Sequence, residues 1–402
     1  MPRVVLSESG TIQHFVGGST LFYSILAGDR LINTTEAAIS TTLRTAGTFS
    51  NLRFYMWQNN FSASCTFKSR KNGADGNMSV LIPAGITGEF EDTINTDIIT
   101  SGDTYNASFI VSASGSNSFS SMHQIVLSSS NTNVLCTKGS SSLGSSVGTQ
   151  YLNVGGTGQT TTEVQAQSRV PNTCTFKNMY VRITSNNDTN TETITLRKNG
   201  GNGNLTVSIP SATSGVFEDT SNTDSITAND LVNWACTRNG TGTLFTIVHL
   251  DIQIETSNGS FPVIGGEASG ADNFSGFTDY YALYGFEAAS NSIEAYHQVK
   301  IYQNTTFSKL WLNVKTNATT GASTLTFRKN SSATALTLSV PTATTGVFTD
   351  DTHSVDTVGS DLVDLQFING GGGNIKWNGL TLLGQLSSIL ATQYGFHPLS
   401  MV

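Results

Sequence analysis

Charge is what this sequence has least of. Asp, Glu, Lys and Arg make up 12% of its 402 residues, about half the share usual in soluble globular proteins. The formal net charge is −8, and no basic cluster is larger than an adjacent Arg–Lys pair. Affinity for nucleic acid rests on grouped Lys and Arg facing phosphates, so this composition argues against a nucleic-acid partner. No apolar run approaches the roughly 18 residues of a membrane-spanning helix, so no membrane partner is expected. The opening stretch MPRVVLSESGTIQHFVGG lacks the apolar core of a secretory signal. The chain as written is therefore expected not to leave a cell by that route, and a polar, extracellular-like composition then fits a virion component released by lysis.

Reactive groups are equally sparse. Cys65, Cys136, Cys174 and Cys236 fall at different points of the repeat described below, so no disulfide framework recurs and all four read as buried free thiols. The six histidines (His14, His123, His249, His297, His353, His397) are dispersed and match no metal-binding spacing. There is no G-x-S-x-G elbow, no phosphate-binding loop and no strand-linked G-x-G-x-x-G. Asn186-Asn187-Asp188-Thr189-Asn190 has the oxygen-rich look of a calcium loop but lacks its alternating ligands and distal Glu. No catalytic, cofactor-binding or metal site is assigned, no binding residue is identified, and the chain is not expected to be an enzyme.

What is present is Ser, Thr, Asn and Gly among β-branched residues, and one pattern written three times. RKNGADGNMSVLIPAGITGEFEDTINTDIITSGD (Arg70 to Asp103) returns as RKNGGNGNLTVSIPSATSGVFEDTSNTDSITAND (Arg197 to Asp230). It returns again, more diverged, as RKNSSATALTLSVPTATTGVFTDDTHSVDTVGSD (Arg328 to Asp361). Glu36, Glu163 and Glu294 each precede the final aspartate of their copy by the same 67 residues, with Phe49, Phe176 and Phe307 in register between them. Looser similarity reaches back to Tyr23, Tyr151 and Tyr281. The period, 127 and then 131 residues, is too long for a solenoid unit; each copy is long enough to bury its own core.

Each copy shows about eight segments in which apolar and polar residues alternate, the mark of a strand with one buried face. The expected fold is all-β: three tandem antiparallel β-sandwiches of the jelly-roll kind, with an Ig-like Greek key as the alternative. The modules are expected at 1–130 (with an N-terminal arm), 131–258 and 259–402 (with a C-terminal tail). The Ser/Gly-rich stretches Ser128 to Gly148 and Ser257 to Gly276 read as linkers.

Asn72-Gly73 and Asn199-Gly200 predict hairpin turns, a signal weakened in the third copy by Asn330-Ser331. Pro83, Pro210 and Pro341 end the next strand. Gly88, Gly215 and Gly346 mark turns, and Asp92, Asp219 and Asp350 suit bonding to nearby backbone N–H groups. Arg70, Arg197 and Arg328 and the recurring Asp103, Asp230 and Asp361 are expected to pair across strands or to cap turns, fastening loops. NGGGGN (Asn369 to Asn374) reads as a hairpin tip. Trp57, Trp234, Trp311 and Trp377 do not align between copies, and the Tyr-rich run Asp279 to Gln303 is assigned to core and interface packing. N-x-S/T triplets such as Asn77-Met78-Ser79 and Asn239-Gly240-Thr241 follow from composition alone.

A sandwich with so few charged side chains lacks the usual defence of its edge strands, so other copies of the chain are expected to cover them. The pattern RKNG…IP…TG-x-F-x-D-T…D in tandem modules resembles repeat modules in structural proteins of tailed bacteriophages and related viruses. That resemblance implies a virion structural role, such as capsid decoration, head fibre or tail appendage, and implies no catalytic residues. Partners would be other copies of the chain and a major capsid or other virion protein, with a host-surface glycan if the chain were a receptor-binding appendage. A self-assembling filament or surface-layer subunit is the remaining reading. The terminal segments lie outside the strict repeat and could be anchoring arms or ordinary strands.

Overall fold

The protein is described by a computed structural model covering residues 1–9, 13–16, 20–24, 27–28, 32–111, 116–138, 141–143, 147–155, 158–242, 245–266, 278–284 and 292–387. The fold is all-β. Helix is limited, among these residues, to single turns at Glu36–Ala38, Glu163–Ala166 and Glu294–Tyr296.

Eight principal strands come from each repeat. In the first they are β1 (Arg3–Ser9), β2 (Thr20–Tyr23), β3 (Gly47–Asn59), β4 (Cys65–Lys71), β5 (Ala74–Ile82), β6 (Gly88–Ile99), β7 (Thr104–Val111) and β8 (Ser116–Ser128). The second supplies β9 (Thr132–Lys138), β10 (Gly148–Leu152), β11 (Cys174–Asn186), β12 (Glu192–Lys198), β13 (Gly201–Ile209), β14 (Gly215–Ile226), β15 (Leu231–Arg238) and β16 (Phe245–Thr256). The third supplies β17 (Ser260–Gly266), β18 (Thr278–Tyr281), β19 (Thr305–Asn317), β20 (Ser323–Lys329), β21 (Ser332–Val340), β22 (Gly346–Thr357), β23 (Leu362–Ile368) and β24 (Ile375–Leu386).

These strands make six sheets, two per repeat. The first repeat orders its strands β1-β8-β3-β6 in one sheet and β2-β7-β4-β5 in the other; the second and third repeat both orders. The two sheets of a repeat share a core. Phe54 on β3 meets Phe67 on β4 at 4.6 Å and stacks on Phe109 of β7 at 5.4 Å between ring centroids. In the third repeat Phe307 on β19 meets Phe327 on β20 at 5.0 Å.

The repeated punctuation works locally as the residue types require. Asn72 and Gly73 take φ of 52° and 75°, and Asn199 and Gly200 take 51° and 78°, the left-handed pair that a two-residue hairpin turn needs. Asn330 and Ser331 adopt the same turn at 49° and 60°, so the serine does not break it. Each of β5, β13 and β21 stops just before its proline. Gly88, Gly215 and Gly346 open β6, β14 and β22 at φ of 119°, 130° and 110°. At Asp92 the β6 ladder shifts register, and its carboxylate accepts from the N–H groups of Ser79, Ile94 and Asn95.

Three expectations need correction. The supposed first linker contains β9 and a short strand at Ser141–Leu143, and the second contains β17. Residues Thr132 to Thr137 are all buried, and a strand covered on both faces shows no apolar–polar alternation. Two of its polar members are satisfied: Asn133 Nδ2 donates to Ser129 Oγ (2.9 Å) and Thr137 Oγ1 to Asp251 (2.6 Å). The N-terminal arm is likewise a strand, β1, paired along its length with β8. The Asn369 to Asn374 run joins β23 and β24, which belong to different sheets, so it crosses between sheets and is not a hairpin tip. The C-terminal tail beyond residue 387 lies outside the described residues.

The arrangement also differs from three units strung in tandem. The six sheets form a propeller-like ring. The edge strands β1, β9 and β17 gather at its centre: β9 contacts β1 and β17, while Ala27–Gly28 pairs in parallel with β9 and touches the other two. The segment after Glu36 docks on the second repeat, that after Glu163 on the third, and that after Glu294 on the first. The described chain begins and ends at this third seam, where Arg3 N donates to Gln303 Oε1 (2.9 Å) and Ser387 N to the Asn304 carbonyl (2.9 Å). One edge of three sheets is thus covered within the chain itself.

Candidate functional site

The strongest sequence signal, the repeated charges, builds the brackets that hold the docking segments. Arg70 donates to both carboxylate oxygens of Glu36 at 2.9 Å. Arg197 does so to Glu163 (2.8 and 3.1 Å) and Arg328 to Glu294 (2.7 and 3.2 Å). Each arginine also reaches the carbonyl of its own hairpin turn, at Gly73, Gly200 and Ser331. The expected pairing of these arginines with Asp103, Asp230 and Asp361 is not what forms. Those aspartates instead accept from Asn72, Asn199 and Asn330 Nδ2, each at 2.7 Å, and from the backbone of their own turn. The sequence held the right clue, since the glutamates keep register with the arginines, and a bidentate Arg–carboxylate pair is the stronger arrangement. The Asn72 amide, the Thr100 N–H and Lys71 hold the Asp103 carboxyl well below its ordinary range.

Seams between repeats are related by the same threefold pattern but differ in chemistry. At the first, Tyr180 Oη donates to the Ser40 carbonyl (3.4 Å), His249 Nε2 contacts the Ala38 carbonyl (3.0 Å), and Arg44 pairs with Glu218 (2.6 Å). At the second, Arg169 pairs with Asp351 (2.8 Å), Lys309 Nζ donates to the Pro171 carbonyl (3.0 Å), and Asn313 Nδ2 to the Val164 carbonyl (2.9 Å). The third is the most elaborate. Arg53, 1% exposed, donates to the Gln298 carbonyl (3.0 Å), Lys300 pairs with Glu89 (3.0 Å) and Glu91 (2.7 Å), and Tyr302 Oη donates to Glu91. Tyr296 stacks on Trp57 at 4.9 Å. Burial works against the Lys300 charge, but its bonds to Glu91 and Glu89 leave its pKa raised.

Pseudo-symmetry shows where one seam is open. The positions of Tyr296 and Trp57 correspond by repeat spacing to Gln165 and Lys315 at the second seam. There, with no stacked ring pair to fill the space, a cleft of about 310 Å³ is lined by residues including Val164, Gln167, Trp311, Asn313, Lys315 and Val347.

The remaining candidates are structural. All four cysteines are buried and form no disulfide, and burial pushes Cys65 up to about 11 and Cys136 and Cys174 up to about 12. Asp188 of the calcium-like loop forms an ion pair with Arg238 in which neither side chain is exposed. Among the described residues no three His, Cys, Asp or Glu side chains converge as a metal site would require. Trp234, Trp311 and Trp377 are buried, as are Tyr281 and Tyr284. One buried group is out of keeping with its copies. Asp364 stands where the other repeats have Asn106 and Asn233, all three buried. Burial, and next the Glu294 carboxylate, push the Asp364 carboxyl up to about 8. Nearby, burial holds His297 down to about 4.

No protein family matches the sequence, and no curated relative does. Solved structures with some likeness include one from an archaeal virus, described as a triple jelly roll fold and turret assembly. It is 12% identical, covers 95% of this chain and 91% of that one, and has a TM-score of 0.19. The infectious bursal disease virus VP2 subviral particle is 8% identical over 96% of this chain and 81% of that one, with a TM-score of 0.13. At such scores neither likeness bears on what this chain does.

Proposed function

We propose that the chain is a non-enzymatic virion structural protein that coats or stabilises a particle surface, as a capsid decoration or head-surface protein. The observation that carries this reading is the strand order. Numbering the eight strands of a repeat in sequence, one sheet runs first, eighth, third, sixth and the other second, seventh, fourth, fifth. That is the order of a double-sheet jelly roll, an architecture used by viral capsid domains. Three such units closed in one ring imitate a trimer with a single polypeptide. An acidic surface suits a position away from packaged nucleic acid. The test is labelling of purified native particles with antibody to the chain, viewed by electron microscopy. Regular label over the head supports the proposal; label confined to tails, or absent from particles, overturns it.

A second reading, a carbohydrate-binding appendage, is favoured by the cleft at the second seam, where amide side chains meet apolar walls beside Trp311. Glycan-array binding lost on Asn313→Ala and Lys315→Ala would select it over surface coating.

A further inference from the structure

Four rings fill the third seam. Trp57 stacks on Tyr296 at 4.9 Å, Tyr55 lies 6.3 Å from Tyr296, and His297 lies 6.3 Å from Trp57, all between ring centroids. By repeat spacing the same four positions at the second seam hold Lys315, Gln165, Asn313 and Ala166 in place of Trp57, Tyr296, Tyr55 and His297. None of these carries a ring, yet β19 keeps the length, the bulge and the sheet neighbours of β3. The cleft of about 310 Å³ lies where the rings are replaced, and Lys315, Gln165 and Asn313 line it. At the first seam two of these positions hold Arg182 and the buried Ile39, both bulkier than Asn313 and Ala166.

The walls of this cleft are tied together. Asn313 Nδ2 donates to the Val164 carbonyl (2.9 Å), and Arg169 pairs with Asp351 (2.8 Å), joining the second repeat to β19 and β22. Of its apolar residues Val164 and Val347 are well exposed, whereas Trp311 is buried. No Asp or Glu lines it, and Lys315 is the one charged side chain among the described lining residues. An ammonium group is attracted to the face of an aromatic ring, and the third seam uses that attraction, with Lys300 Nζ 5.9 Å from the centre of the Tyr302 ring. An apolar cavity of about 150 Å³ takes up benzene, so this cleft has room for a ring with a substituent.

We propose that the cleft at the second seam binds a small aromatic molecule of the phenol class, whose ring sits where the Tyr296–Trp57 stack sits at the third seam. The two valines and Trp311 supply apolar contact, and Lys315 supplies a cation for the face of the ring. The amides of Gln165 and Gln167 supply hydrogen-bond partners for its hydroxyl, the few polar groups that orient a ligand in a mainly apolar site. The site stands apart from the virion reading. It competes with the carbohydrate reading of the same cleft, so a sugar is one arm of the test.

Calorimetric titration of the purified full chain, with saturation-transfer NMR, tests it. p-Cresol is expected to bind at one site per chain with a Kd of about 1 mM. Cyclohexylmethanol, with the same number of heavy atoms but no flat π-face, should bind about tenfold more weakly. Gln165→Tyr with Lys315→Trp borrows the third seam's own residues, so it should fold normally, fill the cleft and abolish binding. Lys315→Met keeps the side chain's length without its charge and should weaken p-cresol binding about threefold, with circular dichroism unchanged. No p-cresol binding at about 10 mM, equal binding of cyclohexylmethanol, binding retained by the double variant, or a methyl galactoside that displaces p-cresol would each overturn the proposal. Particle labelling reports on the surface role separately.

Discussion

Asp364 shows how one residue can set the pH response of a ring otherwise poor in titratable groups. Below the ordinary carboxylate pKa of about 4, it is protonated in both the folded and unfolded chain. As pH rises toward 8 the unfolded chain ionises while the folded one does not, because burial and Glu294 oppose the charge. Folding stability therefore drains across that window and stops changing above it. Asp364→Asn copies the residue at the same place in the other repeats and removes the loss. The variant is expected to exceed the wild type in urea midpoint by a margin that widens from pH 4 to pH 8. An identical margin at pH 4, 6 and 8 would show that Asp364 does not titrate in this way. The aspartates at the bulges behave oppositely. Burial disfavours the Asp350 charge, yet bonds from the Thr337 N–H and from His353 outweigh it and hold this carboxyl down to about 2, so its contribution is lost only as pH falls toward that value.

At the scale of the element, the hairpin and turn code is what makes three diverged sequences fold alike. A Cβ at Gly215 would meet nothing within 4 Å, but its φ of 130° is one that other residues rarely adopt. Gly215→Ala should thus cost about 1–2 kcal/mol through backbone strain alone, read as a lower denaturation midpoint with unchanged circular dichroism. A neutral outcome would mean the turn relaxes freely. Most of this level was legible in the sequence: the Asn-Gly turns, the strand-ending prolines and the bulge aspartates all stand where residue chemistry put them. The central strands were not, because Thr132 to Thr137 are buried on all sides and rich in Ser, Thr and Asn nearby. Periodicity is silent for such a strand, and composition points to a loop. The Arg70–Glu36 bracket was half legible, since spacing showed both residues in register but could not say which carboxylate the guanidinium would reach.

At the scale of the whole molecule, the seams decide behaviour. Each repeat lends a segment to the next, and the third lends its segment back to the first. Loosening one seam therefore weakens closure of the entire ring. The protein is expected to melt in a single calorimetric transition, with Trp57→Ala, which removes the partner of Tyr296, lowering that transition without splitting it. Separate transitions for the three repeats would mean that the seams do not couple them. The meeting of Arg3 with Gln303 and of Ser387 with Asn304 gives this ring an unusual property. Its three joints are alike in kind; the described backbone crosses two of them, and among the described residues the third is bridged by side-chain and hydrogen-bond contacts. The molecule is in effect a necklace with one open clasp, and the clasp sits where the heaviest cluster of charges and rings has accumulated. What the covalent chain supplies at two joints, Arg53, Lys300, Tyr302 and the Tyr296–Trp57 stack supply at the third.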